Sequence, residues 1–378
     1  MDSTALSLPA DPFPPSAIRS VLVYGAGVLG SLYAGKLAQA GYAVTLLARG
    51  QRLAELRERG LVLVNEASGQ VETIAVPLTE RLDAQDAYDL VLVVMRRNQV
   101  DAVLPVLAAN AHTPNVLFML NNAAGPAVFT DAVSTERVLL GFPGAGGQRV
   151  NGAVHYQVTA SALQATTIGE VDGRWTARLG EILQMFEAAG FPAAACDNMD
   201  AWLKTHAALV SPIANAIYLA GGSTTRLAHT PDGLLLLVRA IKEGLAVLHA
   251  LHVPVIPSQY RYLSLLPEPL LLAVLRRSFA TPRAELLMAR HANAARDEMR
   301  LLSEQFQELA HDSGIPTPAM DTLIRYIDPT LPPVPEGQKC LPSDWKPLIA
   351  AGAALLSAGA LAAWLLGGEK SPLKKDQR

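Results

Sequence analysis

Residues 25–30 read Gly-Ala-Gly-Val-Leu-Gly, a G-x-G-x-x-G run set between the apolar stretch 20–24 and the helix-compatible stretch 31–41. That placement is what a diphosphate grip requires. The first glycine permits a tight turn, the second lets a pyrophosphate approach the backbone, and the third lets helix and strand pack closely, with the anion over the helix N-terminus. Gly25, Ala26, Gly27, Val28, Leu29 and Gly30 are therefore expected to hold a dinucleotide. Which dinucleotide depends on the end of the next apolar run, where an NAD site needs a carboxylate for the ribose 2′-hydroxyl. Here the run ends Leu47-Ala48-Arg49, without Asp or Glu. Arg49, followed by Arg52, instead offers guanidinium forks to a 2′-phosphate, which points to NADP (NADPH). The plainer alternative is a pair of arginines that solvate a loop.

Such a turn needs a sheet beneath it. The apolar runs on either side of the glycine-led helix make one βαβ unit, and further strand candidates follow at 61–64, 89–95, 115–120 and 137–142. Strands alternating with helices imply a mostly parallel sheet covered on both faces. After about Asp200 the texture changes: 201–220, 232–251, 283–312 and 318–327 are long and rich in Leu and Ala, as packed helices are. The expected fold class is α/β, with an N-terminal Rossmann-type, mostly parallel sheet domain (19–198) followed by an all-helical domain (199–328) for substrate and a homodimer contact. A proline-bearing flexible leader (1–18) precedes them, and a proline-crowded linker (329–347) follows.

The stretch 348–368 carries no charged residue, and its 21 residues reach about 31 Å as a helix, close to the thickness of a bilayer's hydrocarbon core. It is expected to be a C-terminal hydrophobic helix spanning a membrane, with 369–378 as a polar tail, so that a cytoplasmic catalytic domain is anchored by it. An Ala-rich helix packed on the globular part is the rival reading. Lys370, Lys374, Lys375 and Arg378 lie beyond the span, where a cytoplasmic domain ahead of it disfavours them.

Of the 378 residues, half are hydrophobic and 17% charged, with 31 Lys+Arg against 34 Asp+Glu. A chain so apolar folds, and without a basic excess it lacks the electrostatic source of nucleic-acid affinity. Cys196 and Cys340 form neither a metal clamp nor a disulfide framework, and the histidines show no ligand spacing, so no metal site is expected.

In its GAGVLG start, VTLLARG, DLVLVVMRRNQ, LNNAAG, TTIGEVDG at 166–173, AWLKT and GIPTP at 314–318, the chain resembles the ketopantoate reductase family over about residues 20–328. The resemblance implies reduction of a small 2-keto acid, 2-dehydropantoate, to pantoate by NADPH. It implies Lys204 as general acid, Asn121 near the nicotinamide end and Glu298 as a contact to substrate or lysine. Arg96 stands at the family's cofactor-binding lysine, with Gln99 following. A partly buried Lys204 is expected to have its proton affinity lowered toward the working pH. The chain also departs from the family: Ala208 and Ser211 (before Pro212) replace asparagines, and Leu286 falls where a serine is expected. The departures leave the reaction type in place and put the substrate in doubt. His206 and Ser211 are candidates to supply replacement hydrogen bonds. Two rival readings remain open: a membrane-tethered NADP-binding protein without turnover, and a dehydrogenase of another hydroxy or amino acid.

Overall fold

Runs of Val and Leu at 20–24, 90–93, 116–119 and 138–142 are buried almost throughout, which only a strand covered on both faces permits. The computed structural model describes residues 18–344; the leader up to residue 17, the apolar stretch 348–368 and the tail behind it lie outside them. In chain order the strands are β1 (Ser20–Tyr24), β2 (Ala43–Leu47), β3 (Leu61–Asn65), β4 (Val71–Ile74), β5 (Leu78–Thr79) and β6 (Leu90–Val93). There follow β7 (Val116–Met119), β8 (Val138–Phe142), β9 (Ala145–Val150), β10 (Ala153–Val158), β11 (Thr166–Glu170) and β12 (Ala193–Ala195).

Eight of them form one sheet in the order β12-β11-β8-β7-β6-β1-β2-β5. All neighbours run parallel except β11 against β8, so the sheet is mostly parallel, as expected. The run at 61–64 does not join it. β3 belongs to a second sheet, β4-β3-β10-β9, because its register pairs it with β4 and β10. Leu61 and Leu63 are buried while Val62 and Val64 are only half covered, the alternation of a strand with one packed face. That face lies on the glycine-led helix Val28–Gln39: a Cβ added at Gly35 would stand 2.8 Å from Leu63 Cδ1 and 2.9 Å from Ile74 Cδ1.

The second half is helical, with Met199–Leu219, Pro231–Ala250, Glu268–Phe279, Arg296–Ser313 and Pro318–Ile324 around a shared apolar core. The expected single helix over 283–312 is broken. A short turn Pro282–Ala284, a π-helical turn Glu285–Ala289 and Arg290–Ala294 precede Arg296–Ser313, with the break at Ala295 (φ −119°, ψ 32°). The cause is competition for carbonyls: Tyr218 Oη donates to Ala292 O at 2.6 Å and Arg96 Nη2 to Ala294 O at 2.5 Å. The helix Glu268–Phe279, hidden in sequence among prolines, packs on Pro231–Ala250.

The proline-crowded stretch, expected to act as a linker, is anchored over its described part. Val334 N donates to Leu219 O at 2.9 Å, and the buried Asp232 carboxylate accepts from Cys340 N and Leu341 N at 2.9 Å. Among the described residues no helix is long and apolar enough to cross a membrane.

Candidate active site

The three glycines divide their work as their spacing suggests. Gly25 has φ +118°, and a Cβ there would meet Val94 O at 2.5 Å; one at Gly30 would stand 1.8 Å from Gly25 O. Both positions demand glycine for packing. Gly27 differs: it is exposed, and nothing lies within 4 Å of where its Cβ would be. Gly27 is also the N-cap of Val28–Gln39 and supplies no side-chain cap. The N–H groups of the first turn therefore open onto clear space, a cradle that fits a diphosphate.

The two arginines part company. Arg52 locks the turn from behind: Nε donates to Ala26 O at 3.3 Å, Nη2 to Ser31 Oγ at 3.2 Å and Nη1 to Gly152 O at 3.0 Å. Burial draws its guanidinium below the usual arginine range, with Arg149 nearby opposing its charge further and Glu55 supporting it. Four of its five N–H donors are spent on the protein, with Nη1 also donating to Glu55 Oε2 at 3.3 Å, which leaves it poorly placed for the 2′-phosphate role offered for it. Arg49 stays exposed at the end of β2, steadied by Tyr24 Oη at 2.8 Å and Glu80 O at 3.1 Å, and caps no group of the helix Gly50–Arg59 behind it. It keeps donors for an anion.

Arg96 follows β6 and reaches the helical second half of the chain. Nη1 pairs with Asp297 Oδ1 at 2.8 Å, and Asn98 Nδ2 donates to Asp297 Oδ2 at 2.9 Å. Burial works against the Asp297 charge, yet the Asn98 amide and the Arg96 charge hold it below the ordinary carboxylate range. Arg96, expected on the cofactor, is here a clasp between the loop after β6 and the helix Arg296–Ser313. Gln99 is exposed on the short helix Arg97–Val100 that follows.

The turn after β7 joins the remaining groups. Asn121 Nδ2 donates to Glu298 Oε1 at 3.1 Å, both side chains buried. Asn122 Nδ2 donates to Gly125 O at 2.6 Å, and Ala123 N to Gln305 Oε1 at 3.0 Å. Gly125 (φ +88°) closes the turn against the helix Met199–Leu219; a Cβ there would lie 3.7 Å from Asp200 Oδ1 and 3.9 Å from Lys204 Nζ. Asn198 caps that helix by accepting from Ala201 N at 2.9 Å, Asp200 stands in its first turn, and Lys204 one turn on pairs with Asp200 Oδ2 at 2.5 Å. Asn121 and Glu298 thus touch directly, and Lys204 reaches the same turn at Gly125. The Oδ1 atoms of Asn121 and Asn122 are buried without a partner. An orphaned buried acceptor costs about 1–3 kcal/mol, and a ligand donor would relieve it.

Ser211 and His206 do not play the replacement roles offered for them. Ser211 Oγ lies 2.7 Å from Ser303 Oγ, which also accepts from Asn215 Nδ2 at 3.1 Å, so it binds helix to helix. Ala208 faces away from the turn, against Gly244. The His206 ring packs on Phe142 (4.2 Å between centroids) and stacks on Trp202 (5.3 Å, 9°). Burial, with repulsion from His291, pushes the His206 imidazole down to about 4. His291 is likewise held below the usual histidine range, by burial first and by Arg96, against the pull of Glu298.

Sequence reasoning missed Asp200, Gln305 and His291. Of these only Asp200 carried a local signal, its spacing of four from Lys204 on one helix.

Residues 21–173 match the family model described as ketopantoate reductase PanE/ApbA. A 2-dehydropantoate 2-reductase of Halobacterium salinarum is 29% identical over 312 residues, 81% of this chain and 97% of that protein. A putative ketopantoate reductase from Ralstonia solanacearum superposes with a TM-score of 0.68 at 22% identity, covering 82% of this chain and 97% of the other. A 2-dehydropantoate 2-reductase from Geobacter metallireducens gives 0.67 at 18%, covering 82% and 99%.

Proposed function

We infer that this chain, whose resemblance to the ketopantoate reductase family is borne out in sequence and in fold, is an NADP-dependent oxidoreductase that reduces a 2-keto acid. One observation carries the reading: at the turn after β7, Asn121 meets Glu298 and Gly125 lies beside Lys204, at the carboxyl end of the sheet. The turn lies two strands, about 10 Å, from the glycine turn at the end of β1. Carboxyl ends of parallel strands are where such sheets bind ligands.

The turn from Gly25 to Gly30 would hold the diphosphate on the N–H groups of the first helical turn, and Arg49 would meet the 2′-phosphate. When bound, the reduced nicotinamide supplies a hydride. Lys204 gives a proton to the carbonyl oxygen as negative charge develops there, and Asp200 fixes the direction of the ammonium. Asn121, held by Glu298 through its Nδ2, keeps Oδ1 free to orient a donor on cofactor or substrate.

The substrate put forward by the relatives' names is 2-dehydropantoate, and it is the first to test. Purified protein mixed with NADPH and 2-dehydropantoate, or with other 2-keto acids, is expected to consume NADPH, followed by its absorbance. Loss with another 2-keto acid alone keeps the reaction class and removes that substrate. No loss with any of them refutes the reading.

A further inference from the structure

The large apolar side chains that stay exposed are gathered in one place. Of the eight among the described residues, four lie between Tyr262 and Val274: Tyr262, Leu265, Leu270 and Val274. Tyr262 and Leu265 stand three apart at the close of the 3₁₀ turn Ser258–Ser264, and Leu270 and Val274 stand one turn apart on the helix Glu268–Phe279. Ala273 and Arg277, also exposed, continue the stripe of Leu270 and Val274. The opposite side of that helix faces the core: Leu271 and Phe279 are buried, and Glu268 is held by Arg239 Nε at 2.8 Å. An apolar cluster left open in this way marks a contact surface.

Its charge says what kind. Arg261, Arg276 and Arg277 are exposed in the same stretch, and the Arg261 guanidinium stands 4.8 Å from the centre of the Tyr262 ring. The only carboxylate between Ser258 and Phe279 is that of Glu268, which Arg239 neutralises. An apolar stripe with arginines beside it and no free acid complements anionic lipid headgroups. A second copy of the chain suits it less. A two-fold contact would set this face against itself and bring its arginines together, and four side chains fall far short of the about 20–30 residues that each side of a stable interface contributes.

The course of the chain is an independent observation that points the same way. Arg239 Nη2 donates to Pro342 O at 2.7 Å, and Asp344 N donates to Glu268 Oε2 at 2.7 Å, so the proline-crowded stretch is pinned to the first turn of this helix. Leu348, where the uncharged apolar stretch 348–368 begins, is four residues on. Four residues reach at most about 14 Å, so that stretch, itself outside the described residues, starts beside this face.

We propose that the face from Tyr262 to Arg277 docks the protein on a membrane surface that carries anionic headgroups. Leu265, Leu270 and Val274 enter the boundary between headgroups and acyl chains, and Arg261, Arg276 and Arg277 meet the headgroup phosphates. This docking does not depend on the reaction inferred above.

The test sediments the purified full-length protein with vesicles of phosphatidylcholine alone or of phosphatidylcholine mixed with phosphatidylglycerol. Partition onto the anionic vesicles is expected to exceed that onto the neutral ones by roughly tenfold or more. It should fall by roughly tenfold or more in Leu270→Glu/Val274→Glu and, separately, in Arg276→Glu/Arg277→Glu. Hydrogen exchange over 258–279 should slow in the wild type when anionic vesicles are added. The melting temperature and NADPH affinity show whether each variant is intact. Absence of binding to either kind of vesicle overturns the proposal. So does binding that neither pair of substitutions weakens, which the stretch 348–368 would give by itself. Exchange over 258–279 that is already slow without lipid and unchanged by it also overturns the proposal, because a second copy or another part of the chain then covers the face.

Discussion

Replacing Gly27 by Ala separates the grip on cofactor from the stability of the turn. Gly27 sits at φ −70° and ψ −166°, a conformation open to alanine, and its Cβ position is clear for 4 Å. Alanine is a poorer N-cap than glycine, but it lowers the entropy of the unfolded chain by a comparable amount, so stability should change by no more than about 1 kcal/mol. That corresponds to a shift in Tm of no more than about 2–4 °C. The added methyl would occupy the space through which the first-turn N–H groups reach a diphosphate. Each hydrogen bond to a charged oxygen is worth about 1.5–3 kcal/mol, so losing one weakens NADPH binding by about 10- to 150-fold. Gly30→Ala is the contrast, because its Cβ would fall 1.8 Å from a backbone oxygen and the turn itself must deform. Thermal melts alongside NADPH fluorescence titrations read both quantities. A Gly27→Ala protein that binds NADPH within twofold of wild type would refute the placement of the diphosphate over this turn.

Arg49→Ala should weaken NADPH by roughly tenfold or more and leave NADH little changed, as one lost charge-assisted contact to a 2′-phosphate predicts; equal losses for both would remove Arg49 as the reader. Glu298→Ala strands the buried Asn121 Nδ2 as well as its Oδ1, at about 1–3 kcal/mol, and should lower kcat more than it raises the Kd for NADPH; titration and steady-state rates decide. The His206 imidazole, at about 4 in the folded protein against an ordinary 6.5, makes the unfolded chain the better proton binder between those values. Stability from this group is therefore present above 6.5 and lost as pH falls toward 4, by about 2 kcal/mol between pH 7 and pH 5. Urea midpoints at the two pH values should converge in His206→Phe relative to wild type; an unaltered gap would contradict the burial of a neutral ring.

Local features of this chain were legible in its sequence. Gly25 and Gly30 have the turn and packing roles their spacing assigns, and Gly27 leaves open space beside the turn, because strand, turn and helix are contiguous. The buried strands β1, β6, β7 and β8 announced themselves as unbroken apolar runs, whereas β11, buried throughout, reads Thr-Thr-Ile-Gly-Glu and did not. What failed was non-local. β3 looks like any strand of the main sheet until its partner β10, some ninety residues later, claims it. The hairpin of β9 and β10 carries Gln148, Arg149 and Asn151, too polar to read as strands by apolar pattern. Arg52 offered itself as an anion binder by residue type and Arg96 by the resemblance, whereas Gly152 O and Asp297, 100 and 201 residues away, accept from them. The helix over 283–312 has unbroken helical texture, and its interruption comes from Tyr218 and Arg96 on other elements.

The central claim is that the Lys204 ammonium, held against the turn at Gly125, delivers the proton that completes reduction. Its most direct test is single-turnover oxidation of bound NADPH by a saturating 2-keto acid in Lys204→Ala, with NADPH affinity measured in parallel. Cofactor binding within a few-fold of wild type and a turnover slowed by about 10²-fold or more is the predicted result. Turnover at the wild-type rate in the same protein would contradict it.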